Sequence, residues 1–268
     1  MASKSINIGF LFLFKWAFYC FLLFASSFTV VSAETIRIAV ASNFLKPAQK
    51  LAILFEQQTT HQVKISSGSS GKLYLQITKG APFDLLLSAD KEKPRELIKN
   101  GYALESSLTT YALGRLSLWI KNCPDDPKFE YLQNNNLKKI ALANPKLAPY
   151  GFSSEQFLLE IGIWDKIKNK IIYLENISQV TQVAQIGVVD AALIATSHQN
   201  KLMENKQSCV VNIPEQSYPK IEQQLVIMLK SNKKTVAKEF INLLLSIKGQ
   251  NLIKNMGYSV TASDKIHE

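Results

Sequence analysis

Two short stretches, Ala41-Ser42-Asn43 and Ser69-Ser70-Gly71, put serine hydroxyls where an alternating apolar pattern gives way to a helical one. The first N–H groups of a helix lack intrahelical acceptors and lie at the positive end of its dipole. A hydroxyl beside them completes an uncharged cradle for an oxyanion. One serine at a helix start ordinarily caps that helix and does nothing else. Two in one chain, with further helix starts to match, point to the binding of a small anion.

Other chemistry fits these residues poorly. Gly68-Ser69-Ser70-Gly71-Lys72-Leu73 falls short of a nucleotide phosphate loop, because Ser66 stands where the first glycine belongs and Leu73 where a magnesium-binding hydroxyl belongs. Neither Ser69 nor Ser70 has glycine two positions away on both sides, as a nucleophile elbow requires. His61, His198 and His267 are the three histidines, and none has an acid or nucleophile partner at a recognisable spacing. Spacings for zinc, calcium or a dicarboxylate pair are missing too. The expectation is a protein without enzymatic activity, cofactor or free metal cation. Trp119, Trp164 and Tyr74 read as core residues, and Asp84 and Asp90 as loop or helix caps.

The compartment follows from residues 1–33. They contain Lys4 early, no acidic residue, apolar runs at 10–14 and 16–24, and the small-residue ending Val31-Ser32-Ala33 before Glu34. This is an export leader, with Lys15 interrupting the apolar stretch as a membrane span would not. Its removal takes away Lys4 and Lys15, lowers the formal charge from +10 to +8 and leaves a periplasmic chain of 235 residues. The lysines are scattered without interleaved aromatics, which describes a solvated surface and no nucleic-acid partner. Cys123 and Cys209 remain in an oxidising compartment. Two cysteines set no spacing framework, so only their distance decides whether they pair.

Composition is globular, 47% apolar, without repeats. Ile36, Ile38 and Val40 alternate as a strand, and Phe44, Ala48, Leu51 and Phe55 recur at helical spacing. Val63 and Ile65 mark a second strand, and residues 84–88 a buried third after the break at 80–82. The middle of the chain repeats the scheme, with strands at 115–121, 139–143, 170–174 and 191–195 and helices at 153–163 and 177–186. A strand at 209–213 closes a second sheet, and a late strand at 223–229 is followed by helices. The pattern is α/β with parallel sheets. It predicts two lobes, 34–113 with 220–268 and 114–219, joined by crossings near 112–115 and 216–222.

Five stretches carry a resemblance that covers nearly all of the mature chain: AVAS at 39–42, SGSSG at 67–71, GAPFDLLLSAD at 80–90, NPKLAPYG at 144–151, and ENI at 175–177 with DAALIATS at 190–197. On these the sequence resembles the periplasmic molybdate-binding components of ABC importers, which are type II periplasmic binding proteins. The resemblance implies the two-lobed fold of that class, each lobe a mostly parallel sheet flanked by helices. It implies molybdate or tungstate as ligand, a membrane permease as partner and a monomeric state. Position by position, it implies hydroxyl and backbone donors from Ser42 and Ser70 and backbone N–H groups from Tyr150 and Ile177. Tyr150 lies just before a helix predicted to start near Ser153, and Ile177 opens one capped by Asn176. Four helix starts would then converge on one tetrahedral dianion. The fifth family position, a tyrosine in many relatives, is Ala195 here, which removes a donor and leaves Thr196, Lys72, a water or the Tyr150 hydroxyl to compensate. Receptors of this fold for sulfate, chromate or a small organic anion stay open at this point, as does an exported serine hydrolase.

Overall fold

The computed structural model describes residues 33–204 and 207–259. The leader and its cleavage, apart from Ala33, lie outside the described residues, as does His267. Strand β1 (Thr35–Ala41) shows why a sheet forms at its centre: Ile36, Ile38 and Val40 point to one face and Ala39 to the other, and all four are fully buried. On the first face they meet Phe44, Ala48, Leu51 and Phe55 of the following turn and of helix α1 (Leu45–Gln58), and Phe240 and Leu244 of α7 (Lys234–Leu245). On the second face Ala39 joins Leu73 and Ile77 of α2 (Ser70–Thr78) and Leu97 of α3 (Glu92–Lys99). Burial on both faces is what an α/β sheet requires, and it accounts for the uninterrupted Leu85–Leu87 run of β3.

The first sheet has the order β2-β1-β3-β10-β4, with β2 at Gln62–Gly68, β4 at Thr109–Gly114 and β10 at Ile221–Ile227. The second runs β7-β6-β8-β5-β9, with β5 at Leu116–Ile120, β6 at Ile140–Ala143, β7 at Ile171–Leu174, β8 at Ala191–Ala195 and β9 at Cys209–Asn212. Both sheets share one plan: three neighbouring parallel strands, then one running against them (β10 or β5), then an edge strand (β4 or β9) running with the three again. The sheets are therefore mixed but mostly parallel, as expected, with four of the five strands in each running the same way. The opposing strand in each sheet, β5 or β10, is the one with which the chain arrives from the other sheet, whereas β4 and β9, by which it leaves, run with the βα units. A single residue, Arg115, separates β4 from β5, and residues 213–220 separate β9 from β10.

Helices α4 (Pro149–Glu160), α5 (Trp164–Ile167) and α6 (Ile177–Gln185) surround the second sheet, and α8 (Ile247–Asn255) follows α7. Among the described residues no helix is long and apolar enough to cross a membrane. Cys123 and Cys209 form a disulfide with a Cα separation of 5.4 Å, tying the chain after β5 to β9 across 86 residues. Replacing both by serine should lower the unfolding free energy by about 3 kcal/mol in urea titrations, because the unfolded chain regains the closed loop's freedom. An unchanged midpoint would show that the bridge adds nothing.

Candidate functional site

In parallel sheets the strand carboxyl ends all face one way, and ligands bind in the crevice outside them. Six parallel strands end in this manner here. The segments following five of them line one small cavity: Ala41, Ser42 and Asn43 after β1, Gly68, Ser69 and Ser70 after β2, Ala89 after β3, Ala148, Pro149 and Tyr150 after β6, and Ile177 after β7. Its volume, about 10 Å³, is far below that of pockets for drug-sized organic ligands. Among the described residues no charged side chain lines it. Ser42, Ser70, Tyr150 and Ile177 are therefore brought together from both sheets, and all are at most 6% exposed.

Backbone accounting identifies the donors. In α2, the Ser69 hydroxyl caps the helix by accepting from Lys72 N, Leu73 N bonds the Ser69 carbonyl and Gly71 N bonds the Leu147 carbonyl. In α6, the Asn176 side chain accepts from Ser178 N and Gln179 N. In α4, Pro149 occupies the first position and has no N–H to satisfy. The first-turn N–H groups left over are those of Ser70, Tyr150, Gly151 and Ile177. Ser70 is thus no cap. Its oxygen accepts from Ala89 N at 3.0 Å, which leaves its proton to be donated elsewhere. The Ser42 hydroxyl has no partner among the described residues, and its carbonyl accepts from the Ser178 hydroxyl at 2.9 Å. A side chain at Gly151 would overlap the Ala143 carbonyl, so only glycine lets the α4 start sit against the end of β6.

Helix α4 begins four residues earlier than expected, which puts Tyr150 in its first turn. Ala195 corrects a second expectation: it is fully buried at the end of β8, opposite Leu116, and does not line the cavity. The suggested substitutes do not line it either. Thr196 bonds Ser117 at 2.7 Å, and Lys72 bonds Glu175 at 2.9 Å. The Tyr150 hydroxyl is buried against Gly114, without a hydrogen-bond partner among the described residues, and burial holds its proton on well beyond the ordinary tyrosine range.

Asn43 was missed as a site residue. Its side chain donates to Gln223 at 2.9 Å, and its carbonyl accepts from the Tyr258 hydroxyl at 2.6 Å and from His198 Nε2 at 3.3 Å. These partners are remote in sequence, so no local signal singled it out. Burial pushes His198 down to about 4 from the ordinary 6.5, with Lys201 adding to the effect. The ring is neutral, with the proton on Nε2, since the Asn43 carbonyl can only accept. Neither serine has a histidine or carboxylate on its hydroxyl, so the arrangement can donate hydrogen bonds but cannot activate a nucleophile.

Two mixed sheets flanked by helices, with a small uncharged cavity at their facing strand ends, define a type II periplasmic binding protein. The chain belongs to the bacterial extracellular solute-binding protein family, whose model matches residues 36–259. It is 34% identical over 229 residues to the molybdate-binding protein ModA of Azotobacter vinelandii, covering 85% of this chain and 91% of that one. With the ModA protein of Rhodobacter capsulatus it shares 32% over 228 residues, 85% of this chain and 89% of that one. The solved structure of the Azotobacter vinelandii periplasmic molybdate-binding protein is similar to it with a TM-score of 0.78 at 33% identity, covering 84% of this chain and 99% of that one.

The His198 contact gives a pH signature. Above pH 6.5 the ring is neutral folded or unfolded and costs nothing. Between 6.5 and about 4 the unfolded chain takes up a proton that the folded chain refuses, so stability falls with pH, by about 3 kcal/mol at the low end. Asp90, raised to about 6 by burial, acts oppositely, since the folded chain then binds the extra proton. Urea unfolding of wild type and His198→Gln at pH 7 and 4.5 isolates the histidine. The variant should lose less stability on acidification, and equal losses would contradict the neutral, buried ring.

Proposed function

We propose that this chain is the substrate-binding component of an ABC importer, capturing molybdate or tungstate in the cleft between two lobes and delivering it to a membrane permease. The observation that carries the reading is the uncharged cavity lined by Ser42, Ser70, Tyr150 and Ile177 from both sheets. The names of the relatives agree with it. The lobes are 34–113 with 220–268 and 114–219, and the working form is a periplasmic monomer freed of its leader.

Chemistry favours this ligand class. Uncharged donors hold a buried dianion because each charge-assisted hydrogen bond contributes about 1.5–3 kcal/mol net. The main-chain N–H groups converging on the cavity can only donate, so an anion that still carries a proton, as phosphate does at neutral pH, finds an acceptor for it only in a serine hydroxyl and is disfavoured. Fully deprotonated tetrahedral dianions meet no such conflict. The hydrolase alternative lacks a general base, and the cavity leaves little room for an organic anion.

Isothermal titration against molybdate, tungstate, sulfate, chromate and phosphate tests the assignment. The first two should bind most tightly and phosphate should not bind. Ser70→Ala should weaken molybdate about 10- to 150-fold, the equivalent of one charged hydrogen bond. Unchanged affinity in that variant would remove Ser70 from the site, and tight phosphate binding would overturn the ligand class.

A further inference from the structure

The cavity residues are almost wholly buried, with Ser70 at 0%, Tyr150 at 1%, Ile177 at 2% and Ser42 at 6% exposure. An anion reaches them only when the lobes part. Contacts that span the lobes beside the cavity must then break: Gly71 N to the Leu147 carbonyl at 3.0 Å, the Ser178 hydroxyl to the Ser42 carbonyl at 2.9 Å, and the Lys72–Glu175 ion pair at 2.9 Å. The ion pair differs from the others in carrying charge. Lys72 stands two residues after Ser70, and Glu175 two residues before Ile177, so each donor helix start has one of the two charges beside it. Both side chains reach solvent at the cleft rim, 50% and 30% exposed.

Resting on the oxyanion-receptor reading, we propose that Lys72 captures the dianion on the first lobe and that its pairing with Glu175 then latches the second lobe over it. With the lobes apart, the rim of the first lobe presents an unpaired cation next to the Ser70 donors. The rim of the second presents an unpaired carboxylate next to the Ile177 donor. A dianion is attracted to the first and repelled by the second, which sets the order of events: landing on Ser42, Ser70 and the α2 start, then closure. Closure brings Glu175 onto Lys72 and neutralises a carboxylate that would oppose the bound dianion. The lowered pKa of Glu175, caused first by the hydrogen bond from Lys72, agrees with this pairing. Lys72 thereby attracts the anion during entry without being a ligand afterwards, and the cavity lining stays uncharged. Lys72 and Glu175 are positioning residues in this scheme.

Association and dissociation rates for molybdate, followed by stopped-flow intrinsic fluorescence at several salt concentrations, separate the two roles. Lys72→Gln should slow association about fivefold at low salt, with the deficit vanishing as salt screens the charge. It should also speed dissociation about two- to fivefold, the effect of losing one half-exposed pair. Glu175→Gln should speed both association and dissociation. The exchanged pair, Lys72→Glu with Glu175→Lys, should recover the wild-type dissociation rate, which a merely structural effect of either substitution would not. Wild-type rates in Lys72→Gln, or slower association in Glu175→Gln, would overturn the proposal. If the wild-type protein binds none of the tetrahedral oxyanions, the receptor reading itself fails, and this proposal with it.

Discussion

The constraint on which this structure depends is that main-chain N–H groups at three helix starts are buried without internal acceptors. A buried donor left unpaired costs on the order of 1–3 kcal/mol, so a fold that gathers several at one point is stable there only if something accepts from them. Ser70, Tyr150 and Ile177 hold these positions, and the surrounding sequence accounts for the neighbouring first-turn donors in turn. Ser69 and Asn176 satisfy the neighbouring amides, Pro149 removes one, and Leu147 accepts from Gly71. The first-turn donors that face the cavity are those the caps leave over.

The convergence follows from topology as much as from local caps. Both sheets end in three parallel strands, whose carboxyl ends open onto the cleft, so helix starts from both necessarily face one another. The chain passes between sheets through one residue, Arg115, and through the 213–220 segment. Behind the cavity, Asn43 is held by Gln223 of β10, by Tyr258 near the end of the chain and by His198 from the second half. This network is uncharged, like the cavity in front of it. Neutral surroundings keep the selectivity rule simple: the main-chain partners only donate, which favours a ligand that only accepts.

Much of this was legible in the sequence. Period-2 and period-3.6 patterns located β1 and α1 because burial on a sheet face and on a helix stripe writes directly into residue order. Ser42 and Ser70 stood out in the sequence because strand-to-helix junctions carry cap residues, whereas Ile177 was singled out by the family resemblance. The α4 start was misplaced because Pro149 marks a loop and the first helical position equally well, and only the path of the backbone distinguishes them. Asn43 was invisible since its partners lie 155, 180 and 215 positions away. The family position at Ala195 could be aligned but not located: a residue at the end of β8 faces the cavity or the core according to the twist of its strand, and here it faces the core. The direction of β5 and β10 and the Cys123–Cys209 bridge needed three-dimensional distances for the same reason.

The claim at the centre is that neutral donors from both halves of the chain surround a bare dianion. Anomalous diffraction at the molybdenum edge, on crystals grown with molybdate, measures this directly by locating the metal. The account predicts one peak in the cavity, with oxyanion oxygens about 2.7–3.0 Å from Ser42, Ser70, Tyr150 and Ile177 donors and no lysine or arginine nitrogen in contact. A peak in the neighbouring groove instead, held by Lys91, Lys146 or Lys220, would contradict it.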